Sequence, residues 1–142
     1  MLKWFIPNPV QGTEALGLLL FRLVIGSAFL LHGRRKLKHP TNWMQLEGTA
    51  PGPPALQFFA ALVEFASGTG YLLGLLSPLA ALGMLMAMTG AFLKVHLPDH
   101  SPFVDSPGRP SAESSGIYAA AAILLLLMGP GKYSIDQLWT RL

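Results

Sequence analysis

The chain has 142 residues, of which 51% are hydrophobic and only 12% are charged. A typical soluble domain carries roughly 25% charged residues, so this composition argues against an ordinary soluble domain and against a disordered chain. The net charge of +3 comes from ten basic and seven acidic residues, which suits a membrane protein with basic loops better than a nucleic-acid-binding surface. The chain has no cysteine, which excludes disulfides, thiolate metal sites and CxxC redox chemistry.

Four apolar stretches are long enough to cross a bilayer, which takes about 20 residues. Their surfaces carry Leu, Ala, Gly and Met on all sides, whereas the helices of a soluble bundle keep a polar stripe. The sequence therefore predicts an all-α fold, an integral membrane antiparallel four-helix bundle that forms one domain over 1–142. A soluble helical bundle is the weaker alternative. The predicted spans are 15–33, 55–76, 79–97 and 111–128.

A short helix is predicted after the fourth span. Ser134 and Gln137 have the spacing of a capping box, which predicts an interfacial helix over 134–142. With four spans, the two longer loops lie on one face of the membrane and both termini on the other. The tryptophans all lie outside the spans, where membrane proteins form aromatic belts: Trp4, Trp43 and Trp139.

Two opposite charges fall near the middle of predicted spans. Charged residues at membrane depth are costly, so they normally face the bundle interior and find partners. Arg22 lies in the first span and Glu64 in the second, which runs the opposite way. Their similar depth predicts an Arg22–Glu64 ion pair. Such a pair would fix the register of two helices, form the floor of a polar pocket, or do both.

Further polar residues lie at the ends of the predicted helices, near the face of the membrane that carries the two longer loops. Lys94 and His96 are two residues apart, so they point roughly 200° apart on a helix and cannot both face inward. We expect His96 to face inward and Lys94 to reach the interface. The predicted polar pocket contains Arg22, His32, Lys36, Glu64, His96 and Glu113, with Tyr71 and Lys94 as further candidates.

The pocket residues also include the ligand types of a metal site with two histidines and one carboxylate: His32, His96 and Glu113. Each of the three comes from a different helix, so their spacing gives this reading no support, and no metal is predicted. Axial ligation of a haem by the two histidines has equally little support. A hydrogen-bond network that binds a polar head group or relays protons is the favoured interpretation.

An ordered set of motifs resembles the DoxX-like family of small bacterial membrane proteins. The motifs are LHGRRKL at 31–37, VE at 63–64 before a glycine-rich run, VHLP at 95–98 and GPGKYSID at 129–136. The resemblance implies a four-helix, multi-pass protein of the bacterial cell (inner) membrane. It also implies association with a redox or respiratory system, at most as a subunit of a quinone-linked oxidoreductase.

Two functions remain open from the sequence. The leading one is a membrane subunit whose polar pocket binds quinone or another amphipathic small molecule, because apolar helices suit its tail and polar side chains suit its head. The alternative is a structural or assembly subunit of a larger membrane complex with no chemistry of its own. The expected partners are the lipid bilayer and either a membrane protein complex or a second copy of the chain, and no nucleic acid. A transport pathway is disfavoured, because the half of the bundle toward the termini carries almost no charge.

Overall fold

The computed structural model describes residues 9–48, 50–104 and 111–141, and these contain helices and no strand. Trp4, which was predicted to belong to an aromatic belt, lies outside the described residues. The helices are α1 (Gly12–Lys36), α2 (Trp43–Leu46), α3 (Pro54–Leu73), α4 (Ser77–Ala91), α5 (Glu113–Met128) and α6 (Ile135–Arg141). A π-helical turn, Phe92–His96, continues α4.

Three of the described helical segments are long and apolar enough to cross a membrane. They are Gly12–Lys36, Pro54–Leu73 and Ser77–His96. Their outer faces are apolar, as Val24 illustrates with an exposed fraction of 69%. α5 is equally apolar on its outer face but has only 16 residues, or about 24 Å at a rise of 1.5 Å per residue. The structure is thus that of a helical membrane protein with three full-length candidate spans.

Glycines allow α1 and α3 to pack with their backbones in contact. A side chain at Gly26 would meet the backbone of Leu72, and one at Gly33 would meet the backbone of Phe65. The contact moves from Leu72 back to Phe65 on α3 as it moves from Gly26 forward to Gly33 on α1. The two helices therefore run antiparallel. Small residues at helix interfaces are the usual basis of close packing in lipid. This contact fixes the register between the two helices.

The core lies where α3, α4 and α5 meet the inner face of α1. The Tyr71 hydroxyl donates a hydrogen bond to the carbonyl oxygen of Ala121 over 2.8 Å and so ties α3 to α5. Gly83 lies against Ser67, which brings α4 close to α3. The buried residues of this cluster are Phe29, Tyr71, Ala81, Met84, Met88, Ala121, Ala122 and Leu125.

Two local elements were not predicted from the sequence. The loop after α1 contains the short helix α2, with Trp43 as its first residue. The predicted third span, 79–97, is α-helical only as far as Ala91 and then widens into the π-helical turn. In that turn the amide of Leu97 donates to the carbonyl oxygen of Phe92 over 2.8 Å, five residues back. Such turns alter the direction in which the following side chains point, and they occur frequently at functional sites.

Candidate functional site

Arg22 is buried, with 1% of its surface exposed, and donates to four backbone carbonyl oxygens. Its Nε atom donates to Tyr71 over 3.0 Å, and its Nη2 atom donates to Leu72 over 3.1 Å. Its Nη1 atom donates to Pro130 over 2.7 Å and to Tyr133 over 2.8 Å. The guanidinium therefore joins α1 to the end of α3 and to the turn between α5 and α6.

Two of the four acceptors of Arg22 are carbonyl groups that the end of α3 leaves without intrahelical partners. Tyr71 and Leu72 lie in the last turn of α3, where the helix dipole also favours a positive charge. Gly74 follows with a left-handed backbone, φ 63°, and its Cα faces the Arg22 guanidinium and Ser134. A side chain at this glycine would collide with both groups. The backbone carbonyl acceptors and Gly74 thus enclose the Arg22 guanidinium in a site that we call the Arg22 seat.

The predicted ion pair between Arg22 and Glu64 is wrong. Glu64 lies in the turn of α3 that contacts Gly33, because the Cα of Gly33 faces the backbone of Glu64 and Phe65. Gly33 follows Arg22 by eleven residues, or about 16 Å along the helix at a rise of 1.5 Å per residue. The glycine contacts therefore impose an axial offset between α1 and α3, so the midpoints of the two helices lie at different depths.

Asp136 caps α4 from a different helix. Its Oδ1 accepts a hydrogen bond from the amide of Leu76 over 2.8 Å, and its Oδ2 accepts one from the amide of Ser77 over 2.8 Å. Its own amide donates to the carbonyl oxygen of Gly74 over 2.9 Å. These amides begin α4, where orphan donors and the helix dipole both favour an anion.

The capping box predicted for the last helix forms in part. The amide of Gln137 donates to the hydroxyl of Ser134 over 3.3 Å, and that hydroxyl donates to the carbonyl oxygen of Gly131 over 2.8 Å. The GPGKYSID segment therefore supplies acceptors to Arg22, a cap to α4 and a cap to α6. All of these contacts are structural in kind.

Glu64 pairs with Lys36 at the other end of the bundle. The Lys36 Nζ lies 2.6 Å from Oε1 of Glu64, and the two side chains are only 14% and 5% exposed. The same Nζ lies 4.1 Å from the centre of the Trp43 ring, where the face of the aromatic ring attracts a cation. Oε2 of Glu64 is buried and has no hydrogen-bond partner. The salt bridge is therefore shielded from solvent, and one carboxylate oxygen of Glu64 has no hydrogen-bond donor.

Gln57 holds Trp43 over this pair and was not identified from the sequence. It is fully buried, and its carbonyl oxygen accepts the Trp43 indole N–H over 2.8 Å. Its side-chain Oε1 accepts the amide of Met44 over 3.0 Å, and its Nε2 donates to Gly52 over 2.9 Å. One glutamine thus fastens the loop between α1 and α3 onto the beginning of α3. A lone polar residue at the start of an apolar span is the signal that was available.

Tyr118 links α5 to the same region. Its ring lies 5.2 Å from Phe29 and 6.0 Å from His32, measured between ring centres. The Tyr118 hydroxyl also lies within electrostatic range of the Glu64 carboxylate. His32 is exposed and lines a cleft of about 260 Å³ on the outer side of α1. No role was predicted for this tyrosine from the sequence. His32 contacts the Tyr118 ring edge to face on the exposed side of α1.

His96 and Lys94 point in different directions, as their spacing predicts. Nε2 of His96 lies 3.1 Å from the Ser115 hydroxyl, while its Nδ1 is buried without a partner. Lys94 is exposed. Glu113 is half-buried in the first turn of α5. Of the residues predicted to form one pocket, the structure pairs Lys36 with Glu64. The other predicted members lie near this pair or in other parts of the structure.

Two predicted members belong to other surroundings. Arg22 and Tyr71 share the seat at the far end of α3, where the Tyr71 carbonyl accepts the Arg22 side chain. His32, His96 and Glu113 do not come together as metal ligands, since the described part of the chain contains no cluster of three or more histidines or acids suited to a metal ion.

The apolar helices and their buried charges define the class of this protein, a helical membrane protein with a polar interior. The DoxX family model matches residues 17–97. The uncharacterized membrane protein Rv3486 of Mycobacterium tuberculosis (strain ATCC 25618 / H37Rv) is 33% identical over 140 residues, which cover 92% of this chain and 86% of that relative. The chain therefore belongs to the DoxX family, which confirms the resemblance seen in its motifs. No solved structure matches it.

Proposed function

We propose that this protein is a membrane subunit of a redox system and that it binds an amphipathic small molecule of the quinone type beside Glu64 and Lys36. The observation that carries the proposal is Oε2 of Glu64, a buried carboxylate oxygen without a hydrogen-bond partner. Leaving such an acceptor unsatisfied costs about 1–3 kcal/mol, and more for a charged group. A stable protein keeps such an atom where a ligand or an ordered water completes it.

The surroundings of the pair suit an amphipathic ligand. Trp43 provides an aromatic face over the Lys36 ammonium, and the Tyr118 ring packs against Phe29. Ligand sites of this kind combine apolar walls with a few polar groups that orient the head. His32 and His96 lie toward the same end of the bundle and are the next polar groups that a bound head group would meet.

The proposal includes a particular arrangement in the membrane. We take α5 as a fourth, shorter span beside the three longer ones, which makes an antiparallel four-helix bundle and a single domain. A helix of 16 residues can be accommodated by local thinning of the bilayer at a modest cost. The bacterial cell (inner) membrane is the compartment that this reading implies, with a larger complex or a second copy as partner.

Lipid extraction after purification in mild detergent tests the binding proposal. We expect a quinone or quinol to co-purify with the natural chain and to be recovered in a smaller amount from Glu64→Gln, which lacks the charged acceptor. The matched control is Glu47→Gln, because Glu47 forms only a surface pair with Arg35 over 3.4 Å. If no such molecule co-purifies and added decylubiquinone and its reduced form both fail to bind, the proposal is overturned.

A structural or assembly role is the second candidate, and the seat of Arg22 favours it. The guanidinium is satisfied by four carbonyl oxygens and points away from the Glu64–Lys36 pair. A chain with only this role would assemble normally with its partners when Glu64 is replaced by Gln. Equal recovery of the complex from both variants, together with absence of ligand, would favour this second function.

A further inference from the structure

We infer that the site beside Glu64 takes the reduced, hydroxyl-bearing form of its ligand in preference to the oxidised, carbonyl-bearing form. The inference rests on the proposed function and adds the chemical class of the head group. It follows from the kind of hydrogen-bonding atom that the site leaves open. That atom is Oε2 of Glu64, which is buried and unpartnered in a residue only 4% exposed.

The open atom accepts hydrogen bonds and cannot donate them. Glu64 is the anionic member of a salt bridge with Lys36, at 2.6 Å through Oε1. A carboxylate in that state has acceptor positions only. A quinone carbonyl placed beside Oε2 would bring two acceptors together, whereas a quinol hydroxyl would donate to it. Hydrogen bonds to a charged acceptor are also about twice as strong as those between neutral groups.

The donor that completes the site is neutral. A second cation at Oε2 would lie within a few ångströms of the Lys36 ammonium, which already holds Oε1 and the face of the Trp43 ring. Like charges at that distance in a shielded site repel strongly. A hydroxyl donates without adding charge, so it fits beside the existing pair. This argues against amines as the ligand class.

The head group reaches Oε2 by displacing a covering side chain. The atom is buried, and the Trp43 ring covers the Lys36 ammonium that pairs with the same carboxylate. Trp43 is carried by α2, a helix of four residues in the loop after α1. Displacement of this element requires the hydrogen bonds of Gln57 with Trp43 and Met44 to break.

Three probes of nearly equal size separate the possibilities. Decylubiquinol carries hydroxyl donors, decylubiquinone carries only carbonyls there, and the dimethyl ether of decylubiquinol keeps the reduced ring without the donors. Binding to the natural chain is measured by titration calorimetry in detergent without oxygen, with protein-free micelles as the blank. We expect decylubiquinol to bind about tenfold to a hundredfold more tightly than the other two.

The variants show whether Glu64 causes this preference. In Glu64→Gln the preference shrinks to about twofold or reverses, because an amide can also donate to a carbonyl. Glu47→Gln keeps the preference of the natural chain. Equal affinity for all three probes, as when a water occupies Oε2, overturns the inference and leaves the proposed function standing. If none of the three probes binds and no quinone or quinol co-purifies with the natural chain, both the inference and the proposed function are overturned. The ether comparison needs no variant, so it holds even if Glu64→Gln does not fold.

Discussion

Arg22 and Pro130 are joined by a hydrogen bond of 2.7 Å from the guanidinium Nη1 to the carbonyl oxygen, although 108 residues separate them in the chain. The acceptor belongs to the GPGKYSID segment, and the donor lies in the middle of α1. The same segment supplies the carboxylate of Asp136 to the beginning of α4. A charged residue inside an apolar helix and a polar signature near the other end of the chain are thus parts of one structural junction.

Replacing Arg22 by Met is expected to destabilise the protein by about 3–5 kcal/mol, because each buried acceptor left without a donor costs about 1–3 kcal/mol. The methionine fills the space but leaves carbonyl oxygens of α3 and of the following turn without donors. Unfolding by sodium dodecyl sulfate, followed by circular dichroism in mixed micelles, measures the loss. Arg34→Met is the control, because Arg34 is exposed on the same helix. Equal stability of the two variants would contradict the account of the Arg22 seat.

Replacing Lys36 by Met is expected to cost about 3–5 kcal/mol, because it leaves the Glu64 carboxylate buried without its cation. Adding Glu64→Gln to the same chain should restore most of the stability, since no charge then remains unpaired. The free energies of unfolding of the two single variants and the double variant form a double-mutant cycle. Additive losses would show that the two side chains do not interact in the membrane-like environment.

Replacing Asp136 by Asn is expected to cost about 1–2 kcal/mol, as for loss of a helix cap. The amide keeps the shape but turns an N–H₂ group toward one of the two amides of Leu76 and Ser77. The charge at the start of α4 is lost as well. The midpoint of detergent-induced unfolding measures the change against Glu47→Gln, which alters an exposed carboxylate. A midpoint like that of the control would show that the cap contributes nothing.

Two glycines of α1 should respond to alanine in opposite directions. Gly33→Ala forces a methyl group into the backbone of Phe65 and is expected to cost about 1–3 kcal/mol by pushing α1 from α3. Gly17 has no atom within 4 Å of the added carbon, so Gly17→Ala is expected to stabilise its helix by about 0.5–1 kcal/mol. Thermal unfolding by circular dichroism compares the two. A shift of the same sign in both variants would refute the close contact at Gly33.

The helices were predictable from the sequence because hydropathy, prolines and capping residues act locally. The predicted span 55–76 is helical from Pro54 to Leu73, and the helix predicted over 134–142 runs over Ile135–Arg141. The predicted span 111–128 begins two residues too early, since Ser111 and Ala112 are not helical and α5 begins at Glu113. Local signals therefore located the elements, with errors at their ends.

The site was less predictable, because its partners depend on register. Arg22 and Glu64 were predicted as charges at membrane depth and Lys36 as a member of the polar pocket, but their pairing required the offset between α1 and α3 that Gly26 and Gly33 impose. Every residue has a backbone carbonyl group, so the acceptors of Arg22 could not be identified by looking for a side chain of opposite charge. The packing of Tyr118 near Glu64 depends on contacts between α5 and α1, which no spacing within one helix reveals.

The long separation between Arg22 and its acceptors affects how the chain is made. Pro130 and Tyr133 follow Arg22 by 108 and 111 residues. At a synthesis rate of about 5–20 residues per second, α1 is made roughly 5–20 seconds before those carbonyl groups exist. During that interval water, lipid head groups or an insertion factor has to solvate the guanidinium. A segment synthesised 108 residues later thus completes the placement of α1, and a chain interrupted before Pro130 would leave Nη1 of Arg22 without its two carbonyl acceptors in the bilayer.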